Sequence, residues 1–159
     1  MSQIQNSLKQ AGIVLPTPAA PVANYVGTVI TGNLLVISGQ LCLGADGKLD
    51  AVHRGKLGDG VSLEAGQAAA RLCAINLLAQ ANVALGGKLD RIRRCVRLGG
   101  FINANPTYAQ IPQVMNGASD LMVQVLGDAG RHARSTVGVA QLPLDCAVEV
   151  EAMFEIAQD

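Results

Sequence analysis

Apolar and polar positions along the chain change period several times, and each change marks an element. Ile4, Leu8 and Ala11 recur at helical spacing behind a Ser2/Gln5 capping box, and Gly12 follows; a short N-terminal helix is predicted. Pro16, Pro18 and Pro21 forbid regular structure beyond it and carry the chain, extended, towards the first strand. Tyr25 to Ile30 and Leu34 to Ser38 are two β-branched runs around Thr31-Gly32-Asn33, the pattern of a hairpin. Gly44 to Gly60 is a glycine- and charge-rich loop. From Ser62, a good N-cap, to about Leu85 the period turns helical, with Ala68, Leu72, Ile75, Ala79, Asn82 and Val83 as the expected stripe and Gly86-Gly87 as the stop. Ile92 to Asn103 reads as a strand in which Gly99-Gly100 marks a bulge or a close backbone approach. Pro112 to about Leu126 reads as a second long helix, with Val114, Ala118, Leu121, Met122 and Val125 sharing a face. Two strands follow, Ser135 to Ala140 and Ala147 to Ile156, joined across Leu142-Pro143-Leu144-Asp145.

The order β-β-α-β-α-β-β, with short hairpin links at each end, predicts an α+β architecture: an antiparallel or mixed sheet carrying both helices on one face. The expectation is a single domain over 1–159, with 1–15 as an N-terminal helical extension. In the last strand Val148, Val150, Ala152, Phe154 and Ile156 alternate with Glu149, Glu151, Met153 and Glu155, so the first set is expected under the helices and the second on the open face. The strands also contain Val29, Leu35, Ile37, Val137 and Val139, so that open face is not wholly polar. A sheet apolar on both sides needs covering, and with only two helices the cover has to come from other subunits.

Charge and composition narrow the partners. Twelve basic and twelve acidic side chains cancel, there is no Trp, and Tyr and Phe number two each. Such a chain lacks the basic excess and the stacking platforms of a nucleic-acid binder. Arg91, Arg93, Arg94 and Arg97 do form one basic cluster, but strand alternation would split it, with Arg91, Arg93 and Cys95 on one face. No apolar run approaches the roughly 20 residues of a membrane helix, and the first residues carry neither a basic patch nor an apolar stretch, so a cytoplasmic protein is expected. Cys42, Cys73, Cys95 and Cys146 are far apart and form no C-x-x-C pair, which points to buried thiols and away from a zinc or redox motif. His53 has no partner at metal-ligand spacing and reads as a surface residue.

The strongest local pattern is His132-Ala-Arg134-Ser-Thr-Val-Gly-Val-Ala-Gln-Leu142-Pro143, followed by Ala147-Val-Glu149-Val-Glu151-Ala152. Here the chain resembles the RidA (YjgF-type) family, whose members carry A-R-S-x-V-x-V-x-x-L-P followed by V-E-I/V-E-A. Tyr25-Val26, Gly32-Asn33 and Ser38-Gly39-Gln40 agree with it, as does, less closely, the helical segment Val114 to Leu121. The resemblance runs from about Pro21 to Glu155. It implies a chorismate-mutase-like fold, a homotrimer with active sites in the clefts between subunits, and hydrolysis of 2-imino or 2-enamino acids to 2-keto acids and ammonia without metal or organic cofactor. The family's substrate-binding arginine falls on Arg134 and its glutamate on Glu149, the two expected catalytic residues. Tyr25, Ser38, Gly39 and Asn116 fall on substrate-binding positions. So does Thr136, where some members have cysteine two residues after the arginine.

The residue chemistry agrees with that assignment. Arg134 offers a rigid fork that grips a carboxylate bidentately. Glu149, expected on the sheet face that Arg134 approaches, would orient or deprotonate water. Gly39 lets backbone groups approach a ligand, and Tyr25 would cover it or donate a hydrogen bond. His132 reads as a loop residue and no general base, and Ser119 stands where other members carry Tyr. Three functions stay open at this level: an imine/enamine hydrolase, a non-catalytic trimer binding a carboxylic acid, and the endoribonuclease or translation inhibitor of the family's older names, which neutral charge disfavours.

Overall fold

A computed structural model describes residues 2–158. The N-terminal helix α1 (Gln3–Gln10) starts as the sequence predicts: the Ser2 hydroxyl accepts from the Gln5 N–H, the Gln5 side chain caps in return, and Ile4 and Leu8 are buried. After 17 residues without regular structure (11–27), β1 (Thr28–Thr31) and β2 (Leu34–Leu41) form the expected hairpin, with Gly32 at φ 58° supplying the turn. Two short parallel strands, β3 (Lys56–Leu57) and β4 (Gly60–Val61), pair within the glycine-rich loop. Helix α2 (Leu63–Ala84) begins at the Ser62 cap, β5 spans Ile92–Asn103, helix α3 spans Ile111–Leu126, and β6 (Ala133–Val139) and β7 (Val148–Ile156) complete the chain.

The five long strands lie in the order β1-β2-β7-β5-β6, antiparallel throughout except β5 with β6. Helix α2 packs over β2 and β7 and α3 over β5 and β6, so both cover one face, and α1 lies against α3. The α+β class and the one-sided helix layer are as expected. The hairpin expected at the C-terminal end is not formed, because β5 lies between β6 and β7. The connection crosses the end of β5, where the buried Asn103 amide donates to the Gln141 and Asp145 side chains and the Cys146 carbonyl. Leu144 and Asp145 take positive φ in that tight passage.

Burial alternates along β7 as predicted: Val148, Val150, Ala152, Phe154 and Ile156 are covered by the helices, and Glu149, Glu151, Met153 and Glu155 lie on the other face. On β2 the assignment differs. Leu35 and Ile37 pair towards the core and are buried, so the apolar members of the open face include Val29, Val36, Phe101, Val137 and Met153. The buried residues of α2 are Gly66, Ala69, Ala70, Cys73, Ala74, Leu77, Leu78, Ala79, Gln80 and Ala81, so of the expected stripe Ala79 is buried. The rest of the expected stripe lies about one residue off the buried rows, Ala68 being exposed, Leu72, Ile75 and Asn82 half-buried and Val83 64% exposed. Alanines and leucines occupy adjacent rows of this helix, so period alone has no polar marker to choose between them. Two bulges in β5, between Ile92 and Arg94 and between Cys95 and Arg97, reset its alternation: Cys95 turns inward and is buried. Gly99 and Gly100 are close approaches, to the Glu151 side chain and to Met115.

Candidate functional site

Arg134 leaves β6 on the helix-covered side, in register with Leu98 and Ala152. Its Nη1 donates to Ser119 Oγ at 3.0 Å and its Nη2 to the Pro112 carbonyl at 3.3 Å, both on α3. Pro112, Asn116 and Ser119 stand at i, i+4 and i+7, one stripe of that helix, so half-buried Asn116 lies between the two contacts. The helix stands close because Gly117 lies against the α2 backbone: a Cβ there would come within 2.0 Å of the Gln67 carbonyl oxygen. Ser119 Oγ is also 2.9 Å from His132 Nε2, and His132 Nδ1 is 2.6 Å from the Gly130 carbonyl. A carbonyl only accepts, so Nδ1 carries the proton, Nε2 accepts from the Ser119 hydroxyl, and Ser119 Oγ accepts from Arg134. Burial holds the His132 imidazole below its ordinary value, the Gly130 bond opposing and the Arg134 charge adding to the shift.

Arg134 has no carboxylate partner among the described residues. Its two tethers are neutral oxygens, so three of its five N–H donors and its whole charge stay available to an anion. Thr136, two residues on along the same face, has a buried Oγ1 without a hydrogen-bond partner. Sequence reasoning carried His132 only as a loop residue and Ser119 only as a departure from the family. The signal available was the polar stripe of Pro112, Asn116 and Ser119 facing away from the apolar one.

Tyr25, Ser38 and Gly39 gather elsewhere, around the bulge that interrupts β2 between Ile37 and Gln40. Ser38 Oγ donates to the Val26 carbonyl at 2.7 Å, so the hydroxyl ties down the irregular segment that carries Tyr25. The glycine at 39 leaves room for the Glu149 carboxyl: a Cβ there would sit 2.3 Å from Glu149 Oε1. Glu149 is half-buried beside it, and that burial, with the Glu151 charge as the lesser cause, raises its carboxyl above the ordinary value. The three residues border a cavity of about 170 Å³ whose far side is the segment from Pro16 to Pro21.

The predicted residues thus fall into two groups. Arg134, Asn116 and Thr136 stand at the β6 edge; Tyr25, Ser38, Gly39 and Glu149 stand at β2 and β7. Glu149 is on the open face, in register with Phe101 and Val137, whereas Arg134 is on the helix side. The expectation that both approach one sheet face is therefore overturned, because strand alternation puts Leu98 and Phe101, their respective partners on β5, on opposite sides. Two strand spacings separate β6 from β7, about 10 Å, and three separate it from β2, about 14 Å. No small acid bridges that gap within one chain.

Elsewhere the polar groups are engaged. Arg91 donates to the Ala157 carbonyl, Arg94 pairs with Glu155 at 3.9 Å, and Arg97 donates to Ser135, so the basic cluster is dispersed. All four cysteines are free and buried. His53 is half-buried, with Nδ1 enclosed and without a partner, and not the plain surface residue expected. Among the described residues no helix is long and apolar enough to cross a membrane.

A five-stranded sheet with two helices on one face, carrying at its edge an arginine without a carboxylate partner among the described residues, defines an α+β class. The chain belongs to the YjgF/chorismate-mutase-like family: the family described as "YjgF/chorismate mutase-like, putative endoribonuclease" matches residues 5–156. It is similar to protein TCP17 of Trypanosoma cruzi, at 44% identity over 155 residues, 97% of this chain and 94% of that one. It is equally similar to the crystal structure of Atu1372, a protein with unknown function from Agrobacterium tumefaciens: 44% identity, TM-score 0.90, 98% of this chain and 93% of that one. RidA from the Antarctic bacterium Psychrobacter sp. PAMC 21119 shares the fold at 26% identity and a TM-score of 0.60, over 88% of this chain and 94% of that one.

Proposed function

We propose that the protein hydrolyses reactive 2-imino and 2-enamino acids to 2-keto acids and ammonia, at sites each assembled from two copies of the chain. One copy contributes Arg134, Asn116 and Thr136; its neighbour contributes Tyr25, Ser38, Gly39 and Glu149. The observation that carries this reading is the half-buried Arg134, its guanidinium tethered by neutral oxygens and without a carboxylate partner among the described residues. A cation withdrawn from water in this way gains most from an anion that brings two oxygens to its free donors. The separation of the two groups within one chain, and the apolar residues on the open sheet face, support a shared site in the homotrimer of the family.

In the reaction, Arg134 holds the substrate carboxylate and so fixes the adjacent C=N carbon. Glu149 takes a proton from water as its oxygen bonds to the protonated imine carbon, giving a carbinolamine. The same carboxyl returns the proton to the amine; the C–N bond breaks as C=O forms, the carboxylate takes the hydroxyl proton, and ammonia leaves and carries that proton away as ammonium. An enamine enters after protonation of its β-carbon. A carboxylate of raised basicity suits the first step, since the stronger base takes the proton more readily near neutral pH.

The test is an assay coupled to a dehydratase that releases 2-aminoacrylate or 2-aminocrotonate. Faster keto-acid appearance with the native protein, abolished in Arg134→Ala, is expected. Tight binding of a keto acid with no acceleration would make the protein a binder and refute the enzyme.

A further inference from the structure

The sixteen residues around the 170 Å³ cavity include Tyr25, Ser38 and Gly39, and none of them is Asp, Glu, Lys, Arg or His. Its polar side chains are the hydroxyls of Thr17, Tyr25 and Ser38, the last donating to the Val26 carbonyl, and three amides whose N–H groups are already engaged. Gln40 Nε2 donates to the Ser38 and Gly39 carbonyls, Asn76 Nδ2 to the Leu41 and Leu43 carbonyls, and Gln80 Nε2 to the Ala19 carbonyl and Gln40 Oε1. An amide nitrogen has two hydrogens, so none of the three has one left for a ligand. The bond from Gln80 to Ala19 also ties the N-terminal segment to α2, and Pro16, Pro18 and Pro21 restrict that segment before it folds, which lowers the entropy lost in ordering it.

Gly39 borders both this cavity and the Glu149 carboxyl. Gly39 is thus the point past which a substituent on a carbon held beside Glu149 would reach the cavity. We infer that the segment from Pro16 to Pro21, with Gln80 and Asn76, forms a specificity wall that admits an uncharged substrate side chain of about four to six heavy atoms. This rests on the reaction proposed above and names the substrate class for it. The volume sets the size, since a cavity of about 150 Å³ accommodates a benzene ring. The wall sets the charge: an anionic side chain would lose its water and find no cation and no free amide N–H, only the neutral hydroxyls of Thr17 and Tyr25.

The test is calorimetric titration of the full-length protein with three 2-keto acids, the stable products of the reaction. Pyruvate carries a methyl group, 4-methyl-2-oxopentanoate an isobutyl group and 2-oxoglutarate a carboxylate. Each added methylene that is buried tightens binding about fourfold. The isobutyl acid is expected to bind at least tenfold tighter than both others, and Ala20→Leu, at an exposed point of the wall, to move its ratio to pyruvate towards one. Gln80→Leu, which releases the segment, is the second variant. Equal affinities, tightest binding of 2-oxoglutarate, or ratios unchanged in both variants would overturn the inference. Arg134→Ala separates it from the reaction: loss of all three affinities with a flat native order leaves the arginine and removes the wall. A preserved order with Arg134→Ala unchanged does the reverse, and no binding of any acid removes both.

Discussion

Arg134 and Ser119 are joined by a 3.0 Å hydrogen bond in which the serine hydroxyl accepts from the guanidinium while donating to His132. The serine thus passes the orientation of a half-buried imidazole on to the charged fork, and the fork keeps three donors free. A hydrogen bond to a charged group contributes about 1.5–3 kcal/mol. Ser119→Ala is expected to raise KM about tenfold in the dehydratase-coupled assay with a smaller change in kcat. Ser119→Thr, which keeps the hydroxyl, restores most of it.

The imidazole sets an acid limit. Its folded-state value lies below the ordinary 6.5, so below that pH the unfolded chain takes up a proton that the folded chain resists, and stability falls as pH falls. Protonated Nε2 can no longer accept from Ser119, and a second positive charge stands beside Arg134. Melting temperature followed from pH 7 downward should drop less steeply in His132→Gln than in the native protein. An identical slope would remove His132 from the relay.

Glu149 works in the opposite sense. Its carboxyl is raised, so the folded chain holds a proton that the unfolded chain has released, and stability falls as pH rises from the ordinary value of 4.5 through the folded one. At neutral pH the ionised, half-buried acid burdens the fold. Glu149→Gln should therefore melt at a higher temperature than the native protein at pH 7, while its kcat falls about 100-fold or more, the usual contribution of a general base.

At Gly39 the predicted damage is local. A methyl group 2.3 Å from Glu149 Oε1 meets the movable end of a side chain, not backbone, so Gly39→Ala should fold with a nearly native melting temperature. It displaces the carboxylate, and kcat should fall at least tenfold.

Much of this was legible before any coordinates. Capping at Ser2 and Ser62, the alternation of β7 and the apolar stripe of α3 follow from period and local chemistry, and the structure repeats them. What escaped depends on groups distant in sequence. The bulges of β5 shift Cys95 inward because of its pairing with β7, which no run of ten residues encodes. The place of β5 between β6 and β7 depends on Asn103 gathering the crossing segment. Ser119 and His132 gain their roles only when β6 comes alongside α3, and the two-sided placement of Arg134 and Glu149 follows from strand register.

The shared site is tested most directly by complementation. Arg134→Ala and Glu149→Ala are each expected to be inactive as pure proteins. Unfolded together and reassembled at equal amounts into a cyclic oligomer, they give sites in which both residues are intact with a frequency of about one quarter. The account predicts recovery of about a quarter of native activity in the mixture. No activity above that of the separate variants, with oligomers confirmed to be mixed, would contradict it.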